Sequence, residues 1–127
     1  MALDIFNDPT RASLRSTLNA CAERNSVIAN NVANADTPGY KRSEVRFEED
    51  LKSVLERGGS TVMEDIQRLE SSVSQDNTPS TRPDGNNVNV DKEMSDLAHN
   101  TIQYNAMLEL MRLKGGMLTT VISGGTK

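Results

Sequence analysis

Apolar side chains recur at helical spacing at the two ends of the chain and thin out between them. Leu14, Leu18, Cys21, Asn25, Ile28 and Val32 step alternately by four and three, the repeat of a coiled-coil seam. The spacing predicts a helix over 8–36. Asp8 would be its N-cap, Pro9 its first residue, and it must end before Pro38, because a residue preceding proline avoids the helical region. Met94, Leu97, Thr101, Tyr104, Leu108, Met111, Gly115, Leu118 and Ile122 repeat the pattern at greater length and predict a second helix over 91–122, capped by Asp91 or Asn89. Between them, Phe47, Leu51, Val54 and Leu55 predict one short helix near 44–57, closed by Gly58 and Gly59. Residues 60 to 73 fit a helical turn or an extended segment. Residues 74 to 89 are rich in Ser, Asn, Asp, Thr, Pro and Gly and read as loop, with RPDGNN as a turn. The expected fold is therefore all-α and a single domain over 1–127. Two long antiparallel terminal helices form a coiled-coil-like hairpin, and the segment 37–90 is a polar, largely irregular insert with one short helix.

Each long helix carries a second face. On the first, Ala22, Ser26, Ala29 and Ala33 form a stripe of small residues about 100° around from the seam, flanked by Asn30 and Asn34. Small side chains let another backbone approach closely, and an amide satisfies polar groups at such a contact. On the second, Ala106, Met107, Leu110, Leu113, Met117 and Val121 make the helix apolar around most of its circumference. A helix apolar all round is a buried one. In a chain this small, only other subunits supply the covering wall, so Ala22, Ser26, Leu110, Leu113, Met117 and Val121 are expected to face a neighbouring subunit.

Composition sharpens that expectation. Of 127 residues, 35% are hydrophobic and 3% aromatic, with no Trp, too little for a large self-contained core. The net charge of −4 argues against a nucleic-acid-binding surface, which is basic. No stretch is long and apolar enough to span a membrane, and MALDIFNDPTRASLRS is not a secretory signal peptide.

Catalytic chemistry is not visible. His99 is the only histidine and Cys21 the only cysteine. Cys21 falls on the seam as a small apolar residue, and no metal-ligand spacing or phosphate loop is present. Lys41, Arg42 and Arg46 form a small basic cluster read as surface. No enzyme, no cofactor and no small-molecule substrate is expected. The turn Thr37-Pro38-Gly39-Tyr40 reads as type II, with proline presetting φ at its second position and glycine supplying a positive φ at its third.

ANNVANADTPGYKR resembles the N-terminal pattern of bacterial flagellar rod and hook proteins. Asn30, Asn31, Val32, Ala33, Asn34, Thr37, Gly39, Tyr40 and Lys41 fill its places, with Ala29 and Pro38 inside the same run. At the other end Asp84, Gly85, Asn86, Asp91, Glu93, Met94 and Tyr104 resemble the C-terminal pattern of a proximal-rod member, and the small size suits one. The resemblance covers about half the chain and implies a structural subunit of the basal-body rod. It implies export without a cleaved signal and a place on the periplasmic side of the inner membrane. It implies assembly with itself, with other rod proteins, and with rod-adaptor and export-gate proteins. The competing readings are a sister proximal-rod protein and a soluble helical-hairpin adaptor or chaperone.

Overall fold

The computed structural model describes residues 8–124; the single-domain expectation reaches beyond them at both ends. Helix makes up 66% of the described residues. The order is α1 (Pro9–Ala33), β1 (Ser43–Arg46), α2 (Glu48–Arg57), α3 (Val62–Arg68), β2 (Ser72–Gln75) and α4 (Val90–Gly124). The two strands pair antiparallel, with Ser43 opposite Gln75 and Val45 opposite Val73. The all-α expectation is thus corrected to a mostly helical fold with a two-stranded sheet. The expected helix near 44–57 starts instead at Glu48, because residues 43–46 belong to the sheet.

Local chemistry fixes the helix ends. The Asp8 side chain accepts from the Thr10 amide at 2.9 Å, and Pro9 occupies the first turn, where its missing amide hydrogen costs nothing. α2 opens with Glu48, Glu49 and Asp50 and ends on Arg57, which suits the helix dipole; Gly58 then leaves at φ +61°. α4 starts where Asn89 Oδ1 accepts from the Lys92 amide at 3.1 Å. At about 1.5 Å per residue, its 35 residues run for roughly 52 Å.

The core lies against one side of α1. Leu14, Ala20, Cys21, Val27 and Ile28 of α1 are buried, as are Val45, Phe47, Val54 and Ile66 from the middle of the chain; β1 and α3 pack on α1, and α2 packs on α3. Phe47 is 1% and Ile66 0% exposed. The central segment, expected as a polar insert, also supplies buried residues to the core.

α4 packs along α1 through a different chemistry. Its two fully buried residues are Glu93 and Asn100. Contacts pair Asp8 with Lys114, Cys21 and Asn25 with Asn100, Arg24 with Gln103 and Asn31 with Glu93, so residue numbers run in opposite senses along the two helices. The line α4 turns inward passes through Glu93, Leu97, Asn100, Tyr104, Leu108, Met111, Lys114 and Leu118. Met94 and Ile122, assigned to the seam from hydrophobicity, are 46% and 60% exposed, and Thr101 and Gly115 are exposed as well. On α1 the inward line is Leu14, Thr17, Cys21, Val27, Ile28 and Asn31, while Leu18 and Val32 are half-buried and Asn25 is exposed. Polar residues, Thr17 and Asn31 on α1 and Glu93 and Asn100 on α4, occupy further inward positions that a purely apolar pattern skips.

Candidate assembly site

Two features of the molecule bear on function: a buried polar junction at one end, and exposed faces along the helices. The junction is built by the turn after α1 and the loop before α4. Tyr40 donates its amide hydrogen to the Thr37 carbonyl at 3.2 Å and Gly39 sits at φ +72°, the geometry of a type II turn. The opposing turn places Gly85 at φ +77°. The Gly39 amide donates to the Asp84 carbonyl at 2.8 Å. A Cβ on Gly85 would lie 3.9 Å from Gly39 Cα, so the two glycines form the contact surface of the turns.

Asparagine side chains hold this junction together. Asn86 is 0% exposed. Its Nδ2 donates to the carbonyls of Asn34 and Thr37, both at 2.9 Å, and its Oδ1 accepts from the Val88 amide at 2.8 Å. Asn87 accepts from the Arg42 amide at 2.7 Å and donates to the Asp76 carbonyl at 2.7 Å. Arg82 reaches the Ala35 carbonyl and Lys41 the Gly85 carbonyl, each at 2.8 Å. An amide both donates and accepts, so it closes off two loop strands that have no ladder of their own.

Behind the turns lies a charged cluster. Asn31, 0% exposed, receives the Ser43 amide on Oδ1 at 2.9 Å and donates from Nδ2 to the Ser43 carbonyl at 2.8 Å and to Glu93 at 3.0 Å. Tyr40 donates its hydroxyl to the same Oδ1 at 3.3 Å. Arg42 Nε meets Glu93 Oε1 at 2.7 Å, and its Nη1 reaches Asp76 at 3.0 Å and Glu44 at 3.4 Å. Arg42 is only 7% exposed, which corrects its reading as a surface cation. Burial works against its charge, but the bonds from Glu93 and Asp76 outweigh that and raise its pKa. Asp76 is held well below the usual carboxylate range by hydrogen bonds from Thr78 and then from Arg42. The sequence singled out Asn31 and Glu93 as places in the two terminal patterns, but not Arg42 and Asp76 as their buried partners.

The motif residues thus divide in two. Asn31, Gly39, Tyr40 and Lys41 serve the junction. Ala29, Asn30, Ala33, Thr37 and Pro38 are exposed, and Asn34 is half-buried, its Nδ2 on the Asn30 carbonyl. Ala22 and Ser26 are exposed beside Ala29 and Ala33. On α4, Leu110, Leu113, Met117 and Val121 are 48%, 59%, 67% and 65% exposed.

Among the described residues, reactive groups are not gathered into one site. Burial pushes the Cys21 thiol up, so it is protonated at neutral pH and a poor nucleophile. His99 is exposed. Among the described residues no three His, Cys, Asp or Glu side chains converge as a metal site, and no helix is long and apolar enough to cross a membrane. The exposed apolar residues of α4 leave surface for packing.

Comparison with known proteins gives that packing a setting. Residues 13–41 match the family described as flagella basal body rod protein. Over 123 residues the chain is 37% identical to the flagellar basal body rod protein FlgB of Bacillus subtilis, covering 91% of this chain and 95% of that one. It is 35% identical to FlgB of Escherichia coli, covering 92% and 98%, and 33% identical to FlgB of Salmonella typhimurium, covering 93% and 98%. The chain belongs to the FlgB family of flagellar basal-body rod proteins. It is a structural component of the rod and not an enzyme.

Proposed function

We propose that the chain polymerises through its terminal helices into the proximal part of the rod, the shaft that carries motor torque outward. In this reading α1 and α4 pack as a coiled-coil-like hairpin, completed by neighbours on two sides. The small stripe Ala22, Ser26, Ala29 and Ala33 takes a close helix from one subunit. The apolar end of α4 takes another. The observation that carries this reading is the exposure of Leu110, Leu113, Met117 and Val121 together on one chain. Contiguous apolar surface of that kind marks an interaction site.

The partners are further copies of the chain, other rod proteins, and the rod-adaptor and export-gate proteins at the base. The place is the periplasmic side of the inner membrane, reached by export without a cleaved signal. Fold-level likeness alone would not warrant this; identity over nine-tenths of the chain to named rod proteins supports it. The test replaces Leu113 and Met117 together by Glu in the cell. Export of the variant with loss of rods is the expected result. Normal rods would overturn the proposed role of this face.

A further inference from the structure

α4 outruns the helix it packs on. Lys114 meets Asp8, the N-cap of α1, and α4 then continues to Gly124. Beyond Lys114 only Leu118 is half-buried; the other described residues of the helix are exposed, Met117, Val121 and Ile122 among them. At this boundary stand Gly115 and Gly116. Glycine is the poorest helix former after proline, because it gives up the most backbone freedom. Neither glycine answers a need inside the chain. Neither has the positive φ that Gly39 and Gly85 have. Outside the helix's own neighbouring backbone, no described atom lies within 4 Å of a Cβ built on either. Nor do they end the helix, which runs on past them.

A second feature falls on the same turn. Thr119 Oγ1 donates to the Gly115 carbonyl and Thr120 Oγ1 to the Gly116 carbonyl, each at 3.0 Å. A hydroxyl on the carbonyl four residues back competes with the helix's own amide for that acceptor and favours bending. Thr101 makes the same bond to Leu97, but there α1 braces the helix. Glycines and such side-chain bonds are among the few causes of helix kinks. Both coincide where the support from α1 runs out.

We propose that Gly115–Gly116 is a hinge in α4. Residues 90–114 are the part braced on α1. Residues 117–124 are an arm that changes its angle to seat Met117 and Val121 on a neighbouring subunit. A helical arm this short holds its shape poorly without tertiary packing, so contact with the neighbour fixes it. The hinge rests on the reading that the apolar end of α4 is an assembly surface, and it makes that surface a jointed one.

Nitrogen-15 relaxation of the purified chain tests the joint itself. Backbone order parameters are expected to hold at about 0.85 through Lys114 and to fall below about 0.6 in one step at the glycines. G115A/G116A, which favours helix at both positions, is expected to move the fall to the last turn. A wild-type profile without a step at the glycines, or a step that both alanines leave in place, would overturn the hinge and leave the assembly role of the apolar end standing. In the cell, G115A/G116A is expected to lose rods although its helix is the more stable one. Rods at the wild-type number, built from a chain whose arm is rigid, would overturn the use of the hinge in assembly. Failure of the assembly reading shows separately, as normal rods from L113E/M117E, whatever the relaxation profile.

Discussion

Asn31, Arg42 and Glu93 show how single residues decide this fold. Breaking a buried ion pair from one side leaves an uncompensated charge, which costs about 3–5 kcal/mol. Glu93→Ala is therefore expected to destabilise the chain by about that much in urea unfolding, and Arg42→Ala comparably. Replacing both by apolar residues of similar size should recover much of the loss, since the penalty lies in the unpaired partner. A Glu93→Ala variant as stable as the parent would refute the cluster's role. Gly39 makes a separate case. Nothing lies within 4 Å of a Cβ placed there, yet φ is +72°. Gly39→Val thus meets no clash but does meet backbone strain of about 1–2 kcal/mol. It should shift the unfolding midpoint and loosen the contact with Asp84, seen as faster amide exchange at Gly39. Gly39 was legible from sequence, because a positive φ has a residue signature; Asn31 and Glu93 were legible as motif places but not as buried partners. Arg42 was not legible, since nothing local distinguishes a buried arginine from a surface one; its partners Asp76 and Glu93 lie 34 and 51 positions away.

At the scale of elements, the terminal helices were readable because their stop and start chemistry is local. Asp8, Pro9 and Asn89 sit where the caps are. The sheet was not readable. Its strands are Ser-Glu-Val-Arg and Ser-Val-Ser-Gln, with one apolar residue each and no alternation to betray them. Phe47 was read as one apolar position of a short helix and not as core, because its burial depends on the tertiary arrangement around it. Ion pairs between elements give a pH dependence. A side-chain bond from Lys114 lowers the pKa of Asp8. For Glu48, burial raises the pKa but the bonds from Arg24 outweigh it, so the net shift is downward. Asp76 is shifted in the same direction. A carboxylate with a depressed folded-state pKa stabilises the fold above its unfolded value, about 3.9–4.3, and that contribution is lost as pH falls through the folded value. Thermal stability is expected to be flat near neutrality and to fall below about pH 4. Asp8→Asn should lower stability at neutral pH and reduce the acid-induced drop. A melting temperature that rises on acidification would contradict these assignments.

The whole molecule has a core on one side of α1 and unmatched surface on the other. Ala29 is exposed on α1, so Ala29→Leu should leave the isolated chain folded, with unchanged helicity, and block assembly by filling the space for a close helix. Unimpaired motility would remove Ala29 from the contact. Much of this asymmetry was visible in the apolar surplus of residues 106–121, since no other part of so short a chain could cover it. Its extent was not, because the buried polar line on α4 through Glu93 and Asn100 turns Met94 and Ile122 outward as well. The most direct measurement is a clean deletion of the gene, scored by swimming and by electron microscopy of basal bodies. The account predicts non-motile cells whose basal bodies have rings without rods, restored by the gene in trans. Swimming cells with intact rods would contradict it.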